Sequence, residues 1–343
     1  MQISEFEYKL PNELIAQEPL EERETSRMLV ANRAVNSVLD DAFSNLKNYL
    51  KKGDVLTLNN TKVFPARLFG RSETGAKVEL FLVREVEDGI WETLARPGRR
   101  LKSGKKIVFS SRLSAEVLEK NRDARFIVKF SFDRDFDEIL DEVGQTPLPP
   151  YIKRDGEDLG DDRDRYQTIY AKTRGAIAAP TAGLHFTPRV LDEIKSLGVE
   201  ITEITLHVGY GTFEPVRVKD LSKHQVMAEN FDISEKSAND LNRAKMENRR
   251  IIAVGTTTTR ALESSMAING EFIAGNQTAD LTITPGYKFN AVNGLLTNFH
   301  LPKSSLLVLV STFGGYEFIM NAYKCAVQEQ YRFYSYGDCM LIL

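Results

Sequence analysis

Between Val63 and about Phe132 the chain changes its periodicity, and this constrains the fold more than any single motif. Short β-type runs follow one another there: Arg67 to Gly70, Lys77 to Val83, Ile90 to Ala95, Lys106 to Phe109, Leu113 to Leu118 and Phe126 to Phe130. Turn sequences such as Glu73-Thr74-Gly75 and Glu87-Asp88-Gly89 separate most of them. Helical periodicity is absent. Strands at this spacing, joined by hairpin turns, predict a small antiparallel barrel or sandwich. The flanking texture differs. Val55 to Leu58 and Ile251 to Val254 read as buried strands, and the second runs directly into a helix. The pattern predicts a layered α/β domain, residues 1–62 and 154–343, interrupted by an inserted antiparallel β-barrel domain, residues 63–153. The stiff segment from Thr146 to Ile152, with prolines at 147, 149 and 150, marks the far boundary.

With 343 residues the chain can bury full cores, and its length favours two domains. A hydrophobic content of 42% with 27% charged residues is that of a soluble globular protein. The longest aliphatic run, Leu306 to Val310, is too short to cross a bilayer, and the N-terminus lacks the basic start and apolar core of a signal peptide. We therefore expect a cytoplasmic protein without a membrane partner. The two cysteines, Cys325 and Cys339, do not have metal-binding spacing, so neither a metal site nor a disulfide framework is expected. A net charge of −3 excludes general polyanion binding, so any nucleic-acid contact must be a local basic patch. One such run exists: Arg96, Arg99, Arg100, Lys102, Lys105 and Lys106, with no acidic residue among them. It suits phosphate contacts, and a solvated hairpin is the competing reading.

Two loops carry the chemistry. From Gly175 to Gly183 the residues are small, so another backbone or a ligand can approach closely; His185 and Phe186 follow. Thr187 and Pro188 then open a helix whose apolar face is Val190, Leu191, Ile194 and Leu197. The next strand, Val199 to Val208, delivers His207 to a turn with Gly209 and Gly211. Its alternation flips parity between Ile201 and Ile204, which predicts a bulge or a break near Thr202 and Glu203. Two histidine-bearing loops of this kind look like the walls of a pocket. A second signal is the strand from Ile251 to Val254 that runs into Gly255, Thr256, Thr257, Thr258, Thr259 and Arg260. A helix start with a glycine and four hydroxyls can hold a carboxylate or phosphate beyond the strand ends of an open α/β sheet. It is not a Walker loop, and Gly209 with Gly211 is not a dinucleotide fingerprint. Late in the chain, Leu295 to Pro302 carries Asn298 and His300, and Ser304 can cap the following helix.

Longer blocks then match one family from end to end. They are Gly53 to Leu68, Arg165 to Thr168, Ala178 to Thr187, Ile204 to Phe213, Ala253 to Thr257, Thr297 to Ser304 and Tyr331 to Asp338. On these the chain resembles the S-adenosylmethionine:tRNA ribosyltransferase-isomerase (QueA) family of queuosine biosynthesis. It departs from the family pattern at Glu24, where the family usually has Asp, and at Met227, where a second histidine is common. At Val292-Asn293 the family often has Val-Asp, so no catalytic carboxylate is assigned there.

The resemblance implies an α/β domain interrupted by a β-barrel. It also implies a reaction. The ribosyl part of S-adenosylmethionine moves onto 7-aminomethyl-7-deazaguanine at the wobble position of tRNA, giving epoxyqueuosine and releasing adenine and methionine. The implied partners are tRNA and S-adenosylmethionine, with no metal and no further cofactor, and a monomer suffices. For proton transfer we single out His185, His207 and His300, with a hydrogen-bonded loop histidine as the rival reading at each. For substrate binding the choices are Asn59, Asn60, Thr61, Arg67, Thr181, Gly209, Gly211, Gly255, Thr256, Thr257, Arg260 and Asn298. Glu229 is a partner for His224 if the two meet. The six basic residues from Arg96 to Lys106 would grip the anticodon arm. The rival functions are an S-adenosylmethionine-dependent tRNA methyltransferase and a non-catalytic tRNA-binding protein.

Overall fold

A computed structural model describes residues 1–121, 124–154, 161–209, 211 and 216–343 of the chain. Of the residues singled out above, Tyr210, residues 212–215 and the side chain of Arg100 lie outside the described set. Three strands precede the insertion: β1 (Arg27–Asn32), β2 (Ser37–Ala42) and β3 (Val55–Asn59). Strand β4 (Thr61–Val63) leads into it. Six strands then close a barrel: β5 (Arg67–Ser72), β6 (Lys77–Glu87), β7 (Ile90–Arg96), β8 (Lys106–Val108), β9 (Leu113–Lys120) and β10 (Phe126–Phe132). Alternate residues such as Leu80, Leu82, Val117 and Val128 fill its interior, and Ile139 and Leu140 of α1 (Phe136–Val143) pack against that core.

After α2 (Asp162–Arg165) the chain returns through β11 (Thr173–Ala176), which pairs in parallel with β4. The barrel is thus entered and left through adjacent strands. Helix α3 (Pro188–Ser196) has the expected Thr187 cap, with Thr187 Oγ1 accepting from Val190 N at 3.3 Å, and Pro188 in its first turn. Val190, Leu191 and Ile194 are buried, whereas Leu197 lies at the helix end and is 39% exposed. There follow β12 (Glu200–Leu206), β13 (Glu229–Ile233), α4 (Glu235–Met246), β14 (Ile251–Val254), α5 (Thr256–Asn269), β15 (Gly275–Ala279) and β16 (Gly294–Asn298). Helices α6 (Ser305–Gly314) and α7 (Tyr316–Gln328) and strand β17 (Cys339–Ile342) complete the order.

Among the described residues, nine strands form one sheet in the order β15-β13-β12-β3-β14-β16-β17-β1-β2. Its centre, β12-β3-β14-β16, is parallel. Both faces of that centre are covered, so β14 is apolar and buried along its whole length. In β14, Ile251 and Ala253 face the layer of α4 to α7, while Ile252 and Val254 face the layer of α3. The same arrangement corrects the predicted bulge. Strand β12 pairs in unbroken register with β3 and β13, and Ile201 and Ile204 serve opposite layers. A two-sided sheet needs apolar residues at both parities.

Candidate functional site

The parallel strands end together, and a cleft opens beyond their carboxyl ends, as expected for an open α/β sheet. Its empty volume is about 1080 Å³, counted to the open mouth. Strand β14 runs into Gly255, whose φ of +93° is a conformation that suits glycine. The nearest atoms to a Cβ added there are Thr257 Oγ1 at 3.7 Å and Ala182 Cβ at 3.9 Å, so backbone conformation, not space, requires the glycine. Thr256 and Thr257 border the cleft. Thr258 and Thr259 do not offer their hydroxyls to it, because these donate back to Val254 O (2.6 Å) and Gly255 O (3.1 Å). The start of α6 borders the same cleft through Ser304 and Leu306, with Ser304 capping Leu307 N at 3.2 Å. Residues at the starts of two helices therefore border one cavity. The opposite wall is Ala178 to Ala182 with Tyr151, Tyr166 and Tyr334, and no Asp or Glu is among the described lining residues.

The three histidines occupy three different places. His300 borders the main cleft, with Nε2 2.8 Å from Thr297 Oγ1. Its backbone is pinned: Tyr8 donates to its carbonyl at 2.5 Å, and its N–H donates to Tyr323 Oη at 3.1 Å. Burial pushes its pKa down to about 3, so the ring is neutral at physiological pH. His185 lies behind the cleft wall, bordering a small separate cavity with Arg23 and Arg165. Its Nδ1 is 2.8 Å from Ser26 Oγ and its Nε2 is 3.1 Å from Asn298 Oδ1. The amide nitrogen of Asn298 donates to Tyr334 O (2.7 Å) and Ser335 O (3.3 Å), so its oxygen must face His185. His185 therefore carries its proton on Nε2 and accepts from Ser26 on Nδ1. His207 borders neither cavity; its Nδ1 is 2.8 Å from Thr61 Oγ1, and its ring lies on Gly175, where a Cβ would come within 2.7 Å.

The other singled-out residues divide between cleft and scaffold. Thr181, Gly255, Thr256, Thr257 and Asn298 border the main cleft, with His300. Asn59 stitches β3 to β12: its Nδ2 donates to Leu206 O (3.0 Å), and its Oδ1 accepts from Leu206 N (3.0 Å) and Thr61 N (3.1 Å). Asn60 bonds Glu203 and Thr205, and Arg67 pairs with Glu79 at 2.6 Å across the barrel wall. Arg260 is buried and donates to Glu229 (2.7 Å), Ala279 O (2.9 Å) and Met227 O (3.1 Å). Glu229 also accepts the Gly209 N–H at 2.9 Å. His224 and Glu229 both border a smaller cleft with Gly211 and Arg260, and His224 Nε2 lacks a hydrogen-bond partner among the described residues. In the barrel, Arg96, Arg99, Lys102 and Lys106 are exposed and Lys105 is half-buried. Tyr151, Tyr166, Tyr334 and Ser335 are cleft residues that sequence reasoning did not single out, although Tyr334 and Ser335 lie inside the matched block from Tyr331 to Asp338. Among the described residues no group of three His, Cys, Asp or Glu side chains could hold a metal ion.

Burial also pushes His185 down to about 4 from an ordinary 6.5. The unfolded chain then binds a proton across that window and the folded chain does not, so stability rises with pH there. It is full above about 6.5 and falls as the solution is acidified toward 4. We expect a slope of about 1 kcal/mol per pH unit from this histidine, and a similar one from His300. Urea unfolding across this range checks it: the slope should flatten by about one proton in His185→Gln. An equal slope in that variant would mean that His185 titrates normally.

Fold and cleft define a class: an α/β protein with a cleft at its strand ends and a closed barrel inserted in its chain. A family model described as queuosine biosynthesis protein matches residues 3–342. The S-adenosylmethionine:tRNA ribosyltransferase-isomerase of Carboxydothermus hydrogenoformans is 50% identical over 344 residues, covering 100% of both chains. That of Syntrophotalea carbinolica is 48% identical over 345 residues, again covering 100% of both. A crystal structure of S-adenosylmethionine tRNA ribosyltransferase from Thermotoga maritima is 36% identical, with a TM-score of 0.57, covering 99% of this chain and 100% of that one. The chain belongs to the S-adenosylmethionine:tRNA ribosyltransferase-isomerase family of queuosine biosynthesis.

Proposed function

We propose that this enzyme transfers and isomerises the ribosyl part of S-adenosylmethionine onto 7-aminomethyl-7-deazaguanine at the wobble position of tRNA. Epoxyqueuosine-tRNA forms, and adenine and methionine leave. The full-length family match carries this reading, and the cleft is consistent with it. The sulfonium makes the ribose 5′ carbon acidic, so a positioned base can remove a proton there; adenine needs a proton as it departs, and the attacking amine must be neutral. His300 is the histidine that borders the cleft, so we assign it proton transfer. A neutral ring also avoids repelling the sulfonium, for which the tyrosine faces are a suitable environment. His185 and His207 are assigned support of the wall, through Asn298 and Thr61. In this reading residues 1–62 and 154–343 form the catalytic unit, which works as a cytoplasmic monomer with S-adenosylmethionine as co-substrate and no metal. The barrel of residues 63–153 grips the tRNA.

The test is incubation with S-adenosylmethionine and tRNA carrying the 7-aminomethyl base. Adenine and methionine released together, only with modified tRNA, support the transfer. Release of S-adenosylhomocysteine would make the chain a methyltransferase, and tRNA binding without turnover would make it a binding protein. The basic run has its own test. Lys102→Glu with Lys106→Glu should weaken tRNA binding and flatten the slope of log K against log salt by about 1 to 2. An unchanged slope would place the tRNA elsewhere.

A further inference from the structure

The smaller cleft bordered by His224 and Glu229 takes no part in the proton transfers proposed above. Its position gives it a use. It shares Thr257 and Leu306 with the main cleft, so the two cavities meet at the first turns of α5 and α6. Its empty volume is about 520 Å³, counted to the mouth, against about 1080 Å³ for the main cleft. It also adjoins the barrel. Met227 borders it, and the Met227 sulfur accepts at 3.8 Å from Nη2 of Arg125, the residue before β10. Arg125 is fixed in turn on the barrel by Glu92, at 3.2 Å.

The lining says what kind of ligand fits. Ile283, Leu306, Leu309 and Met227 supply apolar walls, with Thr282 and His224 among them as polar groups. The Glu229–Arg260 ion pair, at 2.7 Å, closes another part of the wall. Apolar walls with a few placed polar groups suit a flat heteroaromatic ring. The reaction supplies one. It joins two substrates, and the amine on the base must come within bonding distance of the ribosyl carbon. Two cavities with a common wall meet that requirement when each holds one substrate. The larger suits S-adenosylmethionine, and the one beside the barrel suits the base of an RNA that the barrel grips. A wobble base lies in a single-stranded loop, from which it can be turned out of its stack at a cost of a few kcal/mol or less, in order of magnitude roughly that of one stacking step.

We propose that the smaller cleft receives the 7-deazaguanine base, turned out of the anticodon loop, while S-adenosylmethionine occupies the main cleft, with Thr257 and Leu306 between the two. This rests on the function proposed above. The probe is an anticodon stem-loop RNA carrying the 7-aminomethyl base at the wobble position and 2-aminopurine beside it, which brightens when its neighbour leaves the stack. Wild-type protein without S-adenosylmethionine should raise the fluorescence at least about twofold on binding. Thr282→Phe narrows the smaller cleft from a position that does not border the main one. It should lose most of the rise and at least about tenfold in kcat/KM for the modified tRNA, while the Kd of S-adenosylmethionine, read by calorimetry, stays within about twofold. A full rise in the variant overturns the proposal. So does a loss of S-adenosylmethionine affinity as large as the loss in kcat/KM, which would give the smaller cleft to the other substrate. If Thr282→Phe lowers the thermal midpoint, Ser305→Tyr repeats the test from α6, and a wild-type protein that binds the RNA without a rise overturns the proposal with no variant at all. Normal release of adenine with a rise that neither variant changes sinks this inference alone. Wild-type protein that binds neither the RNA nor S-adenosylmethionine sinks the proposed function and this inference with it.

Discussion

Arg260→Ala is expected to destabilise the fold by about 3 to 5 kcal/mol. The guanidinium and the Glu229 carboxylate are 2.7 Å apart, with side chains only 9% and 6% exposed. Removing the cation takes the guanidinium away from a buried carboxylate, and three carbonyls, of Met227, Ala279 and Leu281, lose a donor. The loss reaches the loop after β12, because the same carboxylate accepts the Gly209 N–H. Arg260→Lys should rescue little, since one ammonium cannot reproduce a fork that reaches four acceptors. Urea unfolding monitored by fluorescence reads the effect. A variant within about 1 kcal/mol of wild type, combined with weaker S-adenosylmethionine binding, would return Arg260 to the ligand-binding residues.

Asn298→Leu should cost about 3 kcal/mol of stability and at least about a hundredfold in kcat/KM. Asn298 is 2% exposed and links three groups: the His185 ring and the carbonyls of Tyr334 and Ser335. Leucine has nearly the same shape and can satisfy none of them. The stability loss follows from the orphaned polar groups. The activity loss follows from Tyr334, whose left-handed backbone is no longer held by the amide. His185→Gln should lose less, because a glutamine can still donate to Asn298. Steady-state kinetics on the three proteins orders them, and an Asn298→Leu enzyme with near-normal turnover would sever the cleft from its supporting layer.

The architecture was legible because it rests on periodicity. Val55 to Leu58 and Ile251 to Val254 are apolar at both parities because both sheet faces are covered, and the hairpin turns between Arg67 and Phe130 belong to a barrel with one filled interior. Thr187 and Ser304 were readable as caps because capping depends on residues three positions away. That Gly255 to Thr257 and Asn298 border the cleft was readable for a related reason: strand ends in a parallel sheet converge. The histidines were not separable. Whether a ring faces a ligand or a wall depends on Ser26 and Asn298 for His185 and on Thr61 for His207, each more than a hundred residues away. Asn59 and Asn60 read as a polar pocket edge, yet their amides stitch neighbouring strands together. Tyr334 lies inside a matched block but was not singled out, since a positive φ leaves no pattern in composition or spacing.

Strand β17 lies between β16 and β1, and the Arg27 N–H is held by Asp338, 311 residues further along. A chain emerging from the ribosome must therefore carry β1 and β2 without a neighbour on their inner side until nearly all of it has been translated. The barrel, built from contiguous residues, can close long before that. Synthesis thus yields a finished barrel while the surrounding sheet still displays unpaired strand edges, the interval in which aggregation competes with folding. Slowing translation would help the barrel and do little for the sheet, whereas a chaperone that shields apolar strands would act on the part of the molecule that holds the cleft.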